Sequence, residues 1–228
     1  KIVGPGSPWV VAAKRLLSGV IDPGVPAGPS EAIIFADDTV SGGLAALDVL
    51  IEAEHGPDSS AYIVTHSRRV AEEALAAFPE HWARMTEQRV GFSTAVLTGK
   101  CGGVILTQSV EDSYRFINDY APEHLEILST DPFAHLGHIT EAAEILMGPH
   151  TPVSIGNFGL GPNAVLPTSR WARTYGPLSV TDFVKRSSIG YVTASAYPEF
   201  AKHAKTLARY EGFSSHEHAV SDIRKQYL

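Results

Sequence analysis

Ala32-Ile33-Ile34-Phe35-Ala36, then Asp37-Asp38-Thr39, then a helical pattern over 42–54, then Ala61-Tyr62-Ile63-Val64-Thr65: this order decides the fold. The two apolar runs are short and rich in β-branched and aromatic residues, the composition of buried strands. Asp37, Asp38 and Thr39 offer side-chain oxygens that can cap the helix between them. Strand, helix, strand is a βαβ unit, and its repetition predicts a mostly parallel sheet. Further strands are expected at 103–107, 125–128 and 144–147, and further helices at 67–78, 79–90, 109–120 and 132–137. Ser109-Val110-Glu111-Asp112 opens the 109–120 helix with polar caps.

Outside this region the pattern changes. Ile2-Val3 followed by Gly4-Pro5-Gly6 reads as a strand end entering a turn, with a helix over 10–17 behind it. A domain rarely starts on a strand end, so the sequence reads as the C-terminal part of a longer polypeptide. Residues 149–168 are rich in Gly, Pro and Asn without periodicity and read as a long ordered loop, a place where function concentrates. A helix is expected at 180–186, a short strand at 191–195, and two closing helices at 198–210 and 216–227. The first of these puts Phe200, Ala204, Leu207 and Ala208 on one face.

The 228 residues suit one large domain or a domain with an appendage, and a charged fraction of 19% fits a globular chain. The net charge of −7 excludes the basic footprint of a nucleic-acid binder. Cys101 is the sole cysteine, which excludes an internal disulfide and a Cys-based zinc site and fits a reducing compartment. A cytoplasmic location is the expectation, with no membrane contact, since no run is long and apolar enough to cross a bilayer. Ten histidines are many for this length.

Four stretches concentrate chemistry-bearing residues. In Tyr120-Ala121-Pro122-Glu123-His124-Leu125, Pro122 biases Ala121 out of helical geometry and places a carboxyl beside an imidazole on a helix-to-strand connection. Such a pair suits general acid/base work, because His titrates near neutrality and Glu can be tuned there. In Glu52-Ala53-Glu54-His55-Gly56-Pro57, Glu52 and His55 are three apart at a helix end and face one way, so both can reach one metal ion. Ser154-Ile155-Gly156-Asn157-Phe158-Gly159-Leu160-Gly161 surrounds Asn157 with glycines that let the backbone approach a ligand. Glu211-Gly212-Phe213-Ser214-Ser215-His216-Glu217-His218 is a polar elbow between two helices. Singly, each stretch also reads as an ordinary solvated loop or helix end. Together they supply two imidazoles and two oxygen donors, His55, His216, Glu52 and Asn157, a set that suits zinc or manganese. His66, His81, His135, His138, His150, His203 and His218 take no role and read mostly as surface residues.

The chain resembles the histidinol dehydrogenases. Lys1–Gly6, Ala12-Ala13-Lys14-Arg15, Pro26-Ala27-Gly28-Pro29-Ser30-Glu31, residues 53–59, residues 120–127, Gly161-Pro162-Asn163 with Leu166-Pro167-Thr168, and residues 178–186 occur in that family's order. The resemblance implies an incomplete Rossmann-like parallel-sheet α/β domain with a helical C-terminal extension: 1–30 ending a nucleotide-binding domain, 31–177 the main domain, 178–228 a dimerisation segment. It implies NAD-dependent oxidation of an alcohol at a zinc (or manganese) site, one ion per site. The implied partner is a second copy, whose C-terminal segment completes the active site. On this resemblance Glu123 and His124 are the acid/base residues, and Glu52, His55, Asn157 and His216 the metal ligands. Ser30, Glu211 and Ala164 fall on substrate-side positions and Ser7 on a nucleotide-contacting one.

Four positions depart from the family pattern: Glu52 stands for Gln, Asn157 for Asp, Ala164 for His and Ser7 for Asn. The first two exchange a carboxylate across one ligand set and so preserve its charge. The loss at Ala164 removes a polar partner of the substrate, an effect on the order of 1–3 kcal/mol. The expectation is therefore a paralogue acting on another polar alcohol, such as an amino alcohol. The alternatives are a true histidinol dehydrogenase of histidine biosynthesis and a non-catalytic ligand-binding relative.

Overall fold

The structure is a computed structural model that describes residues 1–4 and 6–227. Pro5, expected in the opening turn, lies outside the described residues. Two compact units divide the chain, Lys1–Phe183 and Val184–Leu228.

The first unit is built on five parallel strands: β1 (Glu31–Ala36), β2 (Ser60–Thr65), β3 (Gly102–Leu106), β4 (His124–Leu128) and β5 (Glu144–Met147), in the order β3-β2-β1-β4-β5. Each strand expected between residues 32 and 147 is present within a residue of its predicted bounds. The helices are α1 (Pro8–Leu16), α2 (Gly42–Ala53), α3 (Arg68–Trp82), α4 (Glu87–Leu97), α5 (Val110–Tyr120), α6 (Phe133–Leu136) and α7 (Val153–Phe158).

Alternation along β1 and β4 splits the core into two layers. Ile34, Ala36 and Leu128 meet Val49, Ala53 and Val70 on one face; Ile33, Phe35, Leu125 and Ile127 meet Ile117 on the other. The β-branched and aromatic side chains of β1 are fully buried because both faces of the strand are covered.

Several expectations are corrected. The break expected between 78 and 79 is absent: α3 runs through Pro79 to Trp82, and the next helix starts only at Glu87. The carbonyl that Pro79 leaves without its helical partner is that of Leu75, an exposed residue. Phe78 and Trp82 stack at 5.4 Å, and the Trp82 indole N–H donates to Ser93 Oγ, so packing holds the last turn. The 149–168 stretch is not all loop, since it contains α7. Ile2-Val3 forms no strand; the Ile2 N–H donates to the Asp22 carbonyl beyond α1. The helix expected at 180–186 is a four-residue 3-10 turn, Val180–Phe183.

In the second unit, α8 (Tyr197–Glu211) and α9 (Ser214–Ala219) are followed by a 3-10 segment, Asp222–Tyr227. Residues 191–195, expected as a strand, are irregular and pair with no other strand. Gly212 adopts φ +77° and closes α8, a conformation that L side chains rarely adopt.

Candidate active site

Ligand crevices of open parallel sheets normally lie beyond the strand C-termini, where the strand order reverses. Here that reversal falls between β1 and β4, and the crevice is plugged. His135 Nε2 lies 3.3 Å from Asp37 Oδ2 and 3.2 Å from Ser129 Oγ, while its Nδ1 meets the Tyr114 hydroxyl at 2.6 Å. His135 is therefore half-buried and locked, which corrects its reading as a surface residue. Glu123, His124 and Glu52 instead gather at the N-terminal edge of the sheet.

Glu123 sits on the connection, as expected, and His124 is the first residue of β4. The turn between them and α5 is made by Ala121, which takes a left-handed conformation (φ 56°) rather than a helical one. Both side chains are buried, with Glu123 Oε1 4.0 Å from His124 Nε2. The other carboxyl oxygen of Glu123 accepts the Glu31 main-chain N–H at 3.0 Å.

Burial pushes the Glu123 carboxyl up to about 8; the His124 charge and the Glu31 N–H oppose this, and the Glu52 and Glu31 charges add to it. Burial alone would push His124 down. Its hydrogen bond to Glu144 and the charges of Glu123, Glu52 and Glu144 outweigh burial and raise it above the usual range. Glu31, beside the substrate-side candidate Ser30, is pushed up to about 7 by burial, and its Oε1 accepts the Ser169 N–H.

Glu52 ends α2 facing this cluster. It is buried, and neither of its carboxyl oxygens has a hydrogen-bond partner. Its Oε2 is 3.5 Å from His55 Nδ1, so the i, i+3 pair does face one way. The His55 Nδ1–H donates to the Ile51 carbonyl at 2.8 Å, which leaves Nε2 free. Asn157, on α7, likewise has a buried Oδ1 without a partner. Orphaned buried oxygens are costly, and a cation is one way of satisfying them. Among the described residues no group of three or more His, Cys, Asp or Glu converges as a metal cage. Glu52 with His55, and the orphaned amide oxygen of Asn157, are donors of the kind a zinc or manganese ion takes.

Other predicted residues stand apart. Ser7 caps α1 without a side-chain hydrogen bond and is exposed. Ala164 is exposed in the loop after α7, whose far end is pinned to the segment before β1 by the Gly28 N–H to Thr168 Oγ1 bond. Glu211 and His216 are both exposed in the second unit.

Two features escaped sequence reasoning. Glu144, opening β5, reaches His124 Nδ1 with Oε2 at 2.7 Å. Asp48 on α2 and Glu126 on β4 are both buried and act on one another, and neither oxygen of Glu126 has a hydrogen-bond partner. A carboxylate at the head of an apolar run was the only linear sign of Glu144.

A family model described as "Histidinol dehydrogenase" matches residues 1–224. A relative from Mesorhizobium japonicum, "Histidinol dehydrogenase homolog 2", is 83% identical over all of this chain and 52% of its own length. A relative from Synechocystis, "Histidinol dehydrogenase", is 49% identical over 97% of this chain and 51% of its own. The crystal structure of histidinol dehydrogenase from Elizabethkingia anophelis superposes with a TM-score of 0.88 at 30% identity, covering 98% of this chain and 51% of that one. The chain spans about half the length of the curated relatives it matches.

Proposed function

Because the chain belongs to the histidinol dehydrogenase family of NAD-dependent oxidoreductases, we propose that it carries the acid/base half of an alcohol dehydrogenase site. The substrate is a polar alcohol, such as an amino alcohol, and NAD is the hydride acceptor. The observation that carries this reading is the buried Glu123–His124 pair beside the unpartnered oxygens of Glu52.

Glu52, His55 and Asn157, with His216 from a second copy, would hold a zinc or manganese ion. Such an ion, when bound, would polarise the substrate hydroxyl and lower its pKa. His124 takes the hydroxyl proton as the carbinol hydride leaves for the nicotinamide ring, which yields a carbonyl and NADH. Glu123, whose carboxyl burial pushes up to about 8, is the second acid/base group and would take the proton from water in an aldehyde-to-acid step. Ser30 and Glu211 contact substrate in this reading, Ala164 leaves room on its far side, and Ser7 lies toward the nucleotide. The exposed Phe200 and Leu207 of α8 support residues 178–228 as a dimerisation segment.

The Glu52, Asn157, Ala164 and Ser7 departures, and the word "homolog" in the name of the 83% relative, favour a paralogue over histidinol as substrate. The test is NADH formation by the complete polypeptide with histidinol and a panel of amino and other polar alcohols. Turnover of another alcohol in preference to histidinol supports the reading. Preferred turnover of histidinol replaces the substrate assignment, and no turnover with any alcohol rejects dehydrogenase function.

A further inference from the structure

We propose that Glu144 is the positioning residue of this site: its carboxylate accepts the Nδ1 proton of His124 and leaves Nε2 as the nitrogen that takes the substrate's proton. The inference deepens the dehydrogenase reading and rests on it for the meaning of that proton.

The geometry follows from strand register. β4 and β5 are parallel, and His124 and Glu144 are Cα partners in the ladder. Partners on adjacent strands project to the same face, so the two side chains are brought together by the first step of the sheet. Glu144 Oε2 and His124 Nδ1 are 2.7 Å apart with both side chains buried. A carboxylate can only accept there, so Nδ1 carries the hydrogen and Nε2 is bare in the neutral ring. Nε2 faces Glu123, 4.0 Å away, on the side where the acid/base chemistry lies.

The surroundings keep this arrangement in place. Gly156 on α7 leaves room above β5: a Cβ there would meet Leu146 Cδ2 at 3.0 Å and come within 3.5 Å of Glu144 Oε1. The groups whose charges act on His124 are Glu123 from the connection, Glu52 from α2 and Glu144 from β5, all carboxyls. Glu144 alone is hydrogen-bonded to the ring, so it fixes direction and tautomer, whereas the others act through charge. A buried carboxylate in this role also makes the imidazole a stronger base, because the charge-assisted hydrogen bond strengthens as the ring gains a proton.

The experiment compares the complete polypeptide with Glu144→Gln and Glu144→Ala. Imidazole-nitrogen NMR on labelled histidine follows His124, its signals assigned by their loss in His124→Gln. In the parent, at a pH above the ring's titration, Nδ1 is protonated and Nε2 bare. Glu144→Ala mixes the tautomers, and the near-isosteric Glu144→Gln lowers the His124 titration by about one pH unit or more. With the preferred alcohol, Glu144→Gln lowers kcat about tenfold to a hundredfold, moves the acid limb of kcat/KM with the NMR titration, and leaves KM within about threefold. A neutral ring protonated at Nε2 in the parent, or an unmoved titration in Glu144→Gln, overturns the proposal. The two arms separate the failures: turnover with an unmoved titration sinks the positioning role alone. Absence of turnover sinks the dehydrogenase reading and removes the meaning given to Nε2.

Discussion

The main-chain N–H of Glu31 donates to Oε2 of Glu123 at 3.0 Å, so the first residue of β1 holds the carboxyl that leads into β4. The bond joins residues 92 apart in sequence and brings the Ser30-Glu31 stretch and the acid/base pair to one edge of the sheet. The bond favours the Glu123 carboxylate, but burial outweighs it and disfavours the charge.

The folded Glu123 carboxyl is pushed up to about 8, chiefly by burial, from an ordinary value of 4.5 that the unfolded chain regains. Between those values the folded protein binds more protons than the unfolded one. The stabilising contribution is full below about pH 4.5 and is lost as pH rises through about 8, with a slope approaching about 1.4 kcal/mol per pH unit. Glu31, pushed up to about 7, adds in the same direction. Denaturant unfolding of the metal-free protein across this range should therefore show falling stability, and Glu123→Gln should flatten the slope. An unchanged slope in the variant would place the Glu123 titration elsewhere.

Asp48 and Glu126 form a buried carboxyl pair between α2 and β4. Burial raises both, and the charge of Asp48 raises Glu126 further, so the pair retains a shared proton near neutrality. Glu126→Gln removes the group that must be held protonated and leaves Asp48 without a facing carboxylate. It should raise stability above neutral pH by on the order of 1 kcal/mol, read from unfolding midpoints at about pH 8. A loss of stability there would show that the pair is not strained by charge.

Gly42 lets α2 start against α3. A Cβ at this position would stand 2.1 Å from the Val70 carbonyl and 2.7 Å from the Ala74 nitrogen, both backbone atoms that cannot swing away. Gly42→Ala should destabilise the protein by about 1–3 kcal/mol or more in denaturant unfolding, despite the better helix propensity of alanine. A neutral or stabilised variant would contradict the close approach.

The strands were legible because Ala32–Ala36 and its counterparts are short apolar runs bounded by capping residues, and burial on both faces leaves no other use for them. Glu123 and His124 were legible for a local reason, since Pro122 ends the helix before them. The His124–Glu144 contact was not, because its proximity comes from register between two strands and not from spacing along one. The same holds for Asp48 with Glu126 across the α2–β4 layer. Pro79 misled for the opposite reason: the local rule was sound, but stacking of Phe78 on Trp82 and the Trp82–Ser93 bond carry the helix past it.

The measurement that tests the site most directly is the metal content of the complete polypeptide, by elemental analysis after loading with zinc or manganese. The account predicts about one ion per chain, retained on desalting, and a clear loss in Glu52→Ala and in His55→Ala with the fold intact by circular dichroism. A parent protein that holds no ion, or a Glu52→Ala variant that holds as much as the parent, would contradict it.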